Sequence, residues 1–124
     1  MSIEYTVGNF ETHVKTLNLD SKIADGLTLM RTVTERTLFV TDAENRLKGV
    51  VSEGDLVRAY ENNYLPHAQI AEIMNGAPIF TMKVLSTEEV VDLFLKFGVL
   101  LIPVIDEDGL LLGCQSIRKT ILLM

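Results

Sequence analysis

LFVTDAENRLKGVV (residues 38–51) and IPVIDEDGLLLGCQ (residues 102–115) align without a gap, and the alignment decides the fold. Val40 falls on Val104, Asp42 on Asp106, Leu47 on Leu111 and Gly49 on Gly113, so one offset, 113 − 49 = 64 residues, relates every pair. The match extends upstream, where Leu27, Leu29 and Met30 fall on Val91, Leu93 and Phe94. The chain is therefore two copies of one unit.

The second copy spells out the grammar of that unit. Ser86-Thr87-Glu88-Glu89 is a capping box, the glutamate standing three residues after the serine. Val90, Leu93, Phe94 and Phe97 then recur at i, i+3, i+4 and i+7, one face of a helix, and Gly98 is a natural stop. The apolar run 99–105 reads as a buried strand, 106–109 as a turn, and 110–115 as the returning strand before a helix from Ser116. The first copy predicts the same order: helix over 21–32, strand over 37–41, turn over 42–45, strand over 47–51, helix from Ser52 to about Tyr64. Short opening strands at 12–17 and 79–82 make each copy β-α-β-β-α. The expected division is 1–65, a first repeat with an N-terminal extension, and 66–124, a second repeat. Neither copy alone closes a good core. Two packed sheet to sheet do, giving an α/β module with pseudo-twofold symmetry.

Composition narrows the function. The 124 residues are 48% hydrophobic and 23% charged, an ordinary globular balance, with a formal net charge of −6. Acidic balance argues against a nucleic-acid surface, which needs clustered Lys and Arg, and Arg118-Lys119 is the only adjacent basic pair. No apolar run is long enough to span a bilayer and MSIEYTVGNF does not read as a secretory signal. A single cysteine, Cys114, fits a reducing compartment, so a cytoplasmic protein is expected. His13 and His67 are isolated, no metal-ligand spacing or catalytic triad order is visible, and no cofactor is expected. The reading is non-catalytic.

GVVSEGDL (residues 49–56), IPVID (residues 102–106) and IAEIMN (residues 70–75) together resemble the cystathionine-β-synthase (CBS) domain, and two in tandem resemble a CBS pair, or Bateman module. The resemblance implies a regulatory module that binds an adenosine-containing nucleotide (AMP, ADP, ATP or S-adenosylmethionine) between the repeats and transmits occupancy to an attached or partner domain. GDLVRA followed by IAEIMN is similar to the pair preceding the catalytic domain in some sugar-nucleotidyltransferases, and the apolar end at 121–124 suggests a chain cut from a longer protein or packed in a homodimer.

By this resemblance Asp55 accepts from both ribose hydroxyls, Ser52 donates to phosphate or ribose at a helix N-terminus, and Arg36 reaches the phosphates. The base rests against Leu101, Ile102 and Pro103. Read from spacing alone, Ser52-x-x-Asp55 is a capping box, and Arg36 is a solvated charge beside Glu35. The second copy departs from the pattern: Ser116 keeps the hydroxyl, but Lys119 replaces the aspartate and Leu100 the arginine. One competent site is expected, the other being empty or taking something other than a nucleoside. The alternative is a ligand-free pair serving as a homodimerisation module.

Overall fold

A computed structural model describes residues 9–64 and 66–124; the start of the expected N-terminal extension, residues 1–8, and Leu65 at the expected boundary lie outside the described residues. The first copy runs β1 (Thr16–Asn18), α1 (Ile23–Met30), β2 (Thr37–Thr41), β3 (Leu47–Ser52) and α2 (Glu53–Glu61). A 3-10 turn, Ile70–Glu72, lies on the connection. The second copy runs α3 (Thr87–Phe97), β4 (Leu101–Ile105), β5 (Leu111–Ser116) and α4 (Ile117–Leu122). The expected α/β pair of repeats is observed. No helix among the described residues is long and apolar enough to cross a membrane.

The 64-residue offset is a geometric operator. β2 and β3 pair antiparallel with Val40 opposite Gly49, and β4 and β5 do so with Val104 opposite Gly113. Both hairpins shift register at the same place, between Val40 and Thr41 and between Val104 and Ile105. Their turns close identically: Asp42 Oδ1 accepts from the amides of Glu44 and Arg46, and Asp106 Oδ1 from those of Asp108 and Leu110. Each turn needs one left-handed residue, supplied by Asn45 (φ 65°) in one copy and Gly109 (φ 85°) in the other. The two turns also bond to each other, Leu47 N–H to Gly109 O at 2.9 Å and Leu111 N–H to Asn45 O at 3.0 Å. The pseudo-twofold axis therefore passes between Arg46 and Leu110, which face each other in an antiparallel bridge.

The opening segments cross over. Glu11 forms a two-bond bridge with Cys114 of the second copy, and Asn75 forms the equivalent bridge with Val50 of the first, all four bonds lying between 2.8 and 3.0 Å. After its crossing the chain returns home: β1 pairs parallel with β2, Leu17 opposite Val40, and Thr81 pairs parallel with Val104. The strand expected at 79–82 is thus reduced to one bridge. Thr81 N–H donates to Pro103 O and Ile105 N–H to Thr81 O, but the preceding bond of such a ladder needs an amide at residue 103, and proline has none.

Three cores follow from strand periodicity. β2 is buried on both faces, so Leu38 and Val40 join Leu17, Ile23, Met30, Val51, Leu56 and Ile70 beneath α1 and α2. Phe39 points the other way, to Ile105, Leu111 and Cys114 between the two sheets. Leu85, Val90, Ile102 and Ile117 form the core of the second copy. α3 is capped as its sequence predicts, Ser86 Oγ accepting from Glu89 N–H and Glu89 Oε1 from Ser86 N–H, with Gly98 left-handed (φ 68°) at its end.

Candidate functional site

Two clefts flank the shared core, and the same offset relates them. The first, of about 390 Å³, opens between β2–β3 of the first copy and the α3–β4 junction of the second. Its size lies in the range of small-molecule sites, about 300–1,000 Å³. Phe39, Val50, Pro78, Phe97, Leu101 and Pro103 make apolar walls, and Thr37, Ser52 and Asn75 supply side-chain polar groups. Such a slot suits a flat apolar-faced ring with polar substituents at one end.

Ser52 ends β3 and caps α2. Its Oγ accepts from Asp55 N–H at 3.2 Å while Asp55 Oδ2 accepts from Ser52 N–H at 2.8 Å, a closed capping box. Among the described residues the Ser52 hydroxyl proton has no acceptor, so it is available to a ligand at a helix N-terminus whose dipole favours anions. Asp55 does not itself line the cleft. Its other oxygen is held by the Arg58 guanidinium one turn further along α2. A carboxylate has about four lone-pair positions, so these two bonds leave it able to accept more.

The other expected residues separate. Leu101 and Pro103 line the first cleft, but Ile102 between them is fully buried in the second core, because successive strand side chains face opposite ways. Arg36 does not reach the cleft. Its left-handed backbone (φ 54°) sends the guanidinium toward Glu53 Oε2 (3.5 Å) and Met30 O (3.4 Å), where it lines a different cavity, of about 490 Å³, between α1 and α2. Ser116 and Lys119 belong to the second cleft, of about 210 Å³. Lys119 Nζ lies 2.8 Å from Glu11 Oε2; that hydrogen bond lowers the Glu11 pKa and raises that of Lys119. Cys114, on the floor of the second cleft, has its pKa pushed up to about 11, first by burial and then by the carboxylates of Glu35 and Glu11, against the opposing pull of Lys119. It is an inert thiol at neutral pH. His13 and His67 are exposed, and among the described residues no three His, Cys, Asp or Glu side chains gather where they could hold a metal ion.

Several lining residues escaped the sequence reading. Asn75 and Glu11 enter because the opening segments cross between copies, which no local motif announces. Phe39 escaped because a continuous apolar strand hides which side chain faces the cleft. The offset was a usable signal: projecting Leu101 and Pro103 through it gives Thr37 and Phe39, and these four line the first cleft.

Residues 7–62 match the family model described as the CBS domain. The magnesium transporter MgtE of Thermus thermophilus is 35% identical over 80 residues, 64% of this chain and 17% of the transporter. The chain thus spans less than a fifth of that relative's length. Among solved structures, the cytosolic domain of the Mg²⁺ channel MgtE in complex with ATP superposes with a TM-score of 0.75 at 26% identity, covering 93% of this chain and 46% of that one. CBSX2 in complex with AMP superposes with a TM-score of 0.79 at 25% identity, covering 97% and 96%. The sugar-nucleotidyltransferase suggested by GDLVRA is not shown; these relatives bring in a magnesium transporter instead.

Proposed function

We propose, on the premise that this chain carries a CBS domain and folds as a CBS pair, that it is a regulatory module whose first cleft senses an adenine nucleotide. One observation carries this reading: the N-terminus of α2, with the Ser52 hydroxyl unspent, opens onto an apolar-walled slot of nucleotide size. The base would lie between Phe39 and Val50 on one side and Leu101 and Pro103 on the other. The ribose would meet Asp55 and the phosphate the helix end. Arg36 contributes through its bond to Glu53 at the same helix start, not by direct contact. Two proteins of the same fold, the MgtE cytosolic domain and CBSX2, form complexes with ATP and with AMP, which supports the ligand class. Occupancy would act by biasing how the two repeats pack, since the cleft is walled by both. The module would pass that bias, in the cytoplasm, to a covalently attached domain or a partner.

Thermal unfolding with AMP, ADP, ATP, S-adenosylmethionine and a pyrimidine nucleotide, in the parent and in Asp55→Ala, tests it. At about 100 times its dissociation constant the ligand adds about 2.7 kcal/mol, several degrees in the midpoint. Asp55→Ala should lower the unliganded midpoint through loss of the cap, about 1 kcal/mol, and should abolish the ligand-dependent rise. An equal rise in both proteins removes Asp55 from the site. No rise in either removes the nucleotide.

A second reading, a homodimerisation module, is favoured by the helical face. Leu27, Val57, Tyr60, Leu95, Ile121 and Leu122 are all exposed on α1 to α4, and the cavity between α1 and α2 is mainly apolar. Sedimentation velocity should show a dimer, with Leu95→Glu shifting it toward monomer; a monomeric parent at all concentrations excludes this role. The two readings are compatible.

A further inference from the structure

The offset that carries the first cleft onto the second preserves the walls and changes the chemistry. Ser52 becomes Ser116, but Asn75 becomes Glu11, Ala77 becomes His13, Ile79 becomes Lys15 and Val99 becomes Glu35. Lys119 occupies the place of Asp55. The volume falls to about 210 Å³, below the usual range for nucleotide-sized ligands.

The decisive atom is Glu35 Oε2. It is buried and has no hydrogen-bond partner among the described residues. A buried acceptor without a donor is costly, and native structures hold few of them. Lys119 does not relieve it, being engaged with Glu11. The Glu35 charge nonetheless acts on Lys119 and on the Cys114 thiol, so the three groups share one space. Lys15, exposed on the cleft rim, has no ion-pair partner among the described residues. Phe39, Val14 and Leu101 provide an apolar floor beside these charges.

We propose that this second cleft binds a small zwitterion of the amino-acid class. Its ammonium meets the Glu35 carboxylate once that half-buried side chain turns Oε2 toward the cleft, its carboxylate faces Lys15 and Lys119, and a short side chain rests on Phe39, Val14 and Leu101. A nucleotide is disfavoured by size, by the absence of a ribose acceptor at residue 119 and by carboxylates where the first cleft has Asn75 and Val99. A divalent cation is disfavoured because, although His13 and Cys114 also line the cleft, no three acidic, histidine or cysteine side chains among the described residues gather closely enough to hold one.

Calorimetric titration of the full chain with the twenty common amino acids, first in mixtures and then singly, tests the proposal. A subset should bind at one per chain, and the N-acetyl and carboxamide derivatives of the best binder should not. Glu35→Gln keeps the shape of the side chain, removes its charge and should weaken binding about 10- to 100-fold. The unliganded Glu35→Gln protein should unfold no earlier than the parent, which separates lost recognition from lost structure. Asp55→Ala should leave amino-acid binding unchanged, so failure of the nucleotide reading does not touch this one. The proposal is overturned if no amino acid binds, if Glu35→Gln binds equally well, or if AMP binds at two per chain with the second equivalent lost in Glu35→Gln.

Discussion

Phe39→Ala should lower the unfolding free energy by about 3–5 kcal/mol, the range for truncating a buried aromatic. Phe39 is 1% exposed and sits where Ile105, Leu111 and Cys114 of the other copy meet the first. Globular domains are stable by about 5–15 kcal/mol, so the change consumes a large fraction of the total. For a chain of this size the midpoint should fall by about 10–25 °C. The same side chain lines both clefts, so both proposed ligand responses should weaken together. Chemical denaturation read by circular dichroism, with and without ligand, checks this. A small stability change with lost binding would make Phe39 a ligand contact and not the keystone between the sheets.

Gln115→Leu should cost about 2–6 kcal/mol through a different mechanism. Gln115 is fully buried, its Oε1 accepting from Leu85 N–H at 2.8 Å and its Nε2 donating to Leu85 O at 2.9 Å. An apolar replacement strands two buried backbone groups, each costing about 1–3 kcal/mol. The damage should be local, since Leu85 directly precedes the cap of α3. Hydrogen exchange should quicken in α3 while α1 and α2 stay protected. Gln115→Glu makes the sign testable by pH. A protonated glutamate can both donate and accept, whereas its carboxylate loses the donor and is buried as a charge, so its folded pKa rises. Stability of that variant should be greatest below the usual glutamate pKa and fall as pH rises through the elevated one. A cost independent of pH would show that Leu85 finds other partners.

The fold was legible because the repeat is gapless and its punctuation is local. Ser86 with Glu89, Gly98, and the Asp42 and Asp106 turns each declare a boundary within a few residues of themselves. The lining of the candidate cleft was legible only where one strand and one helix start carry it, as at Ser52 and at Leu101 with Pro103. Ile102 faces away from the cleft because three consecutive residues cannot line one face of a strand. That Arg36 lies outside the cleft could not be read because its left-handed backbone, unusual for arginine, is invisible in composition. Glu11 and Glu35 lie 24 residues apart in sequence and gain meaning only when the crossed segment brings Glu11 beside Cys114 and Lys119.

The reciprocal bridges Glu11–Cys114 and Asn75–Val50 amount to a domain swap completed within one chain. A repeat expressed alone would carry an opening segment with no β5 to receive it and a β3 edge with no segment to cover it. Two such fragments can satisfy each other only by exchanging segments across a true twofold axis, turning the pseudo-symmetry of the chain into the symmetry of a dimer. A single repeat is therefore not a unit of stability, and the linker that joins the pair is what keeps the exchange intramolecular and independent of concentration.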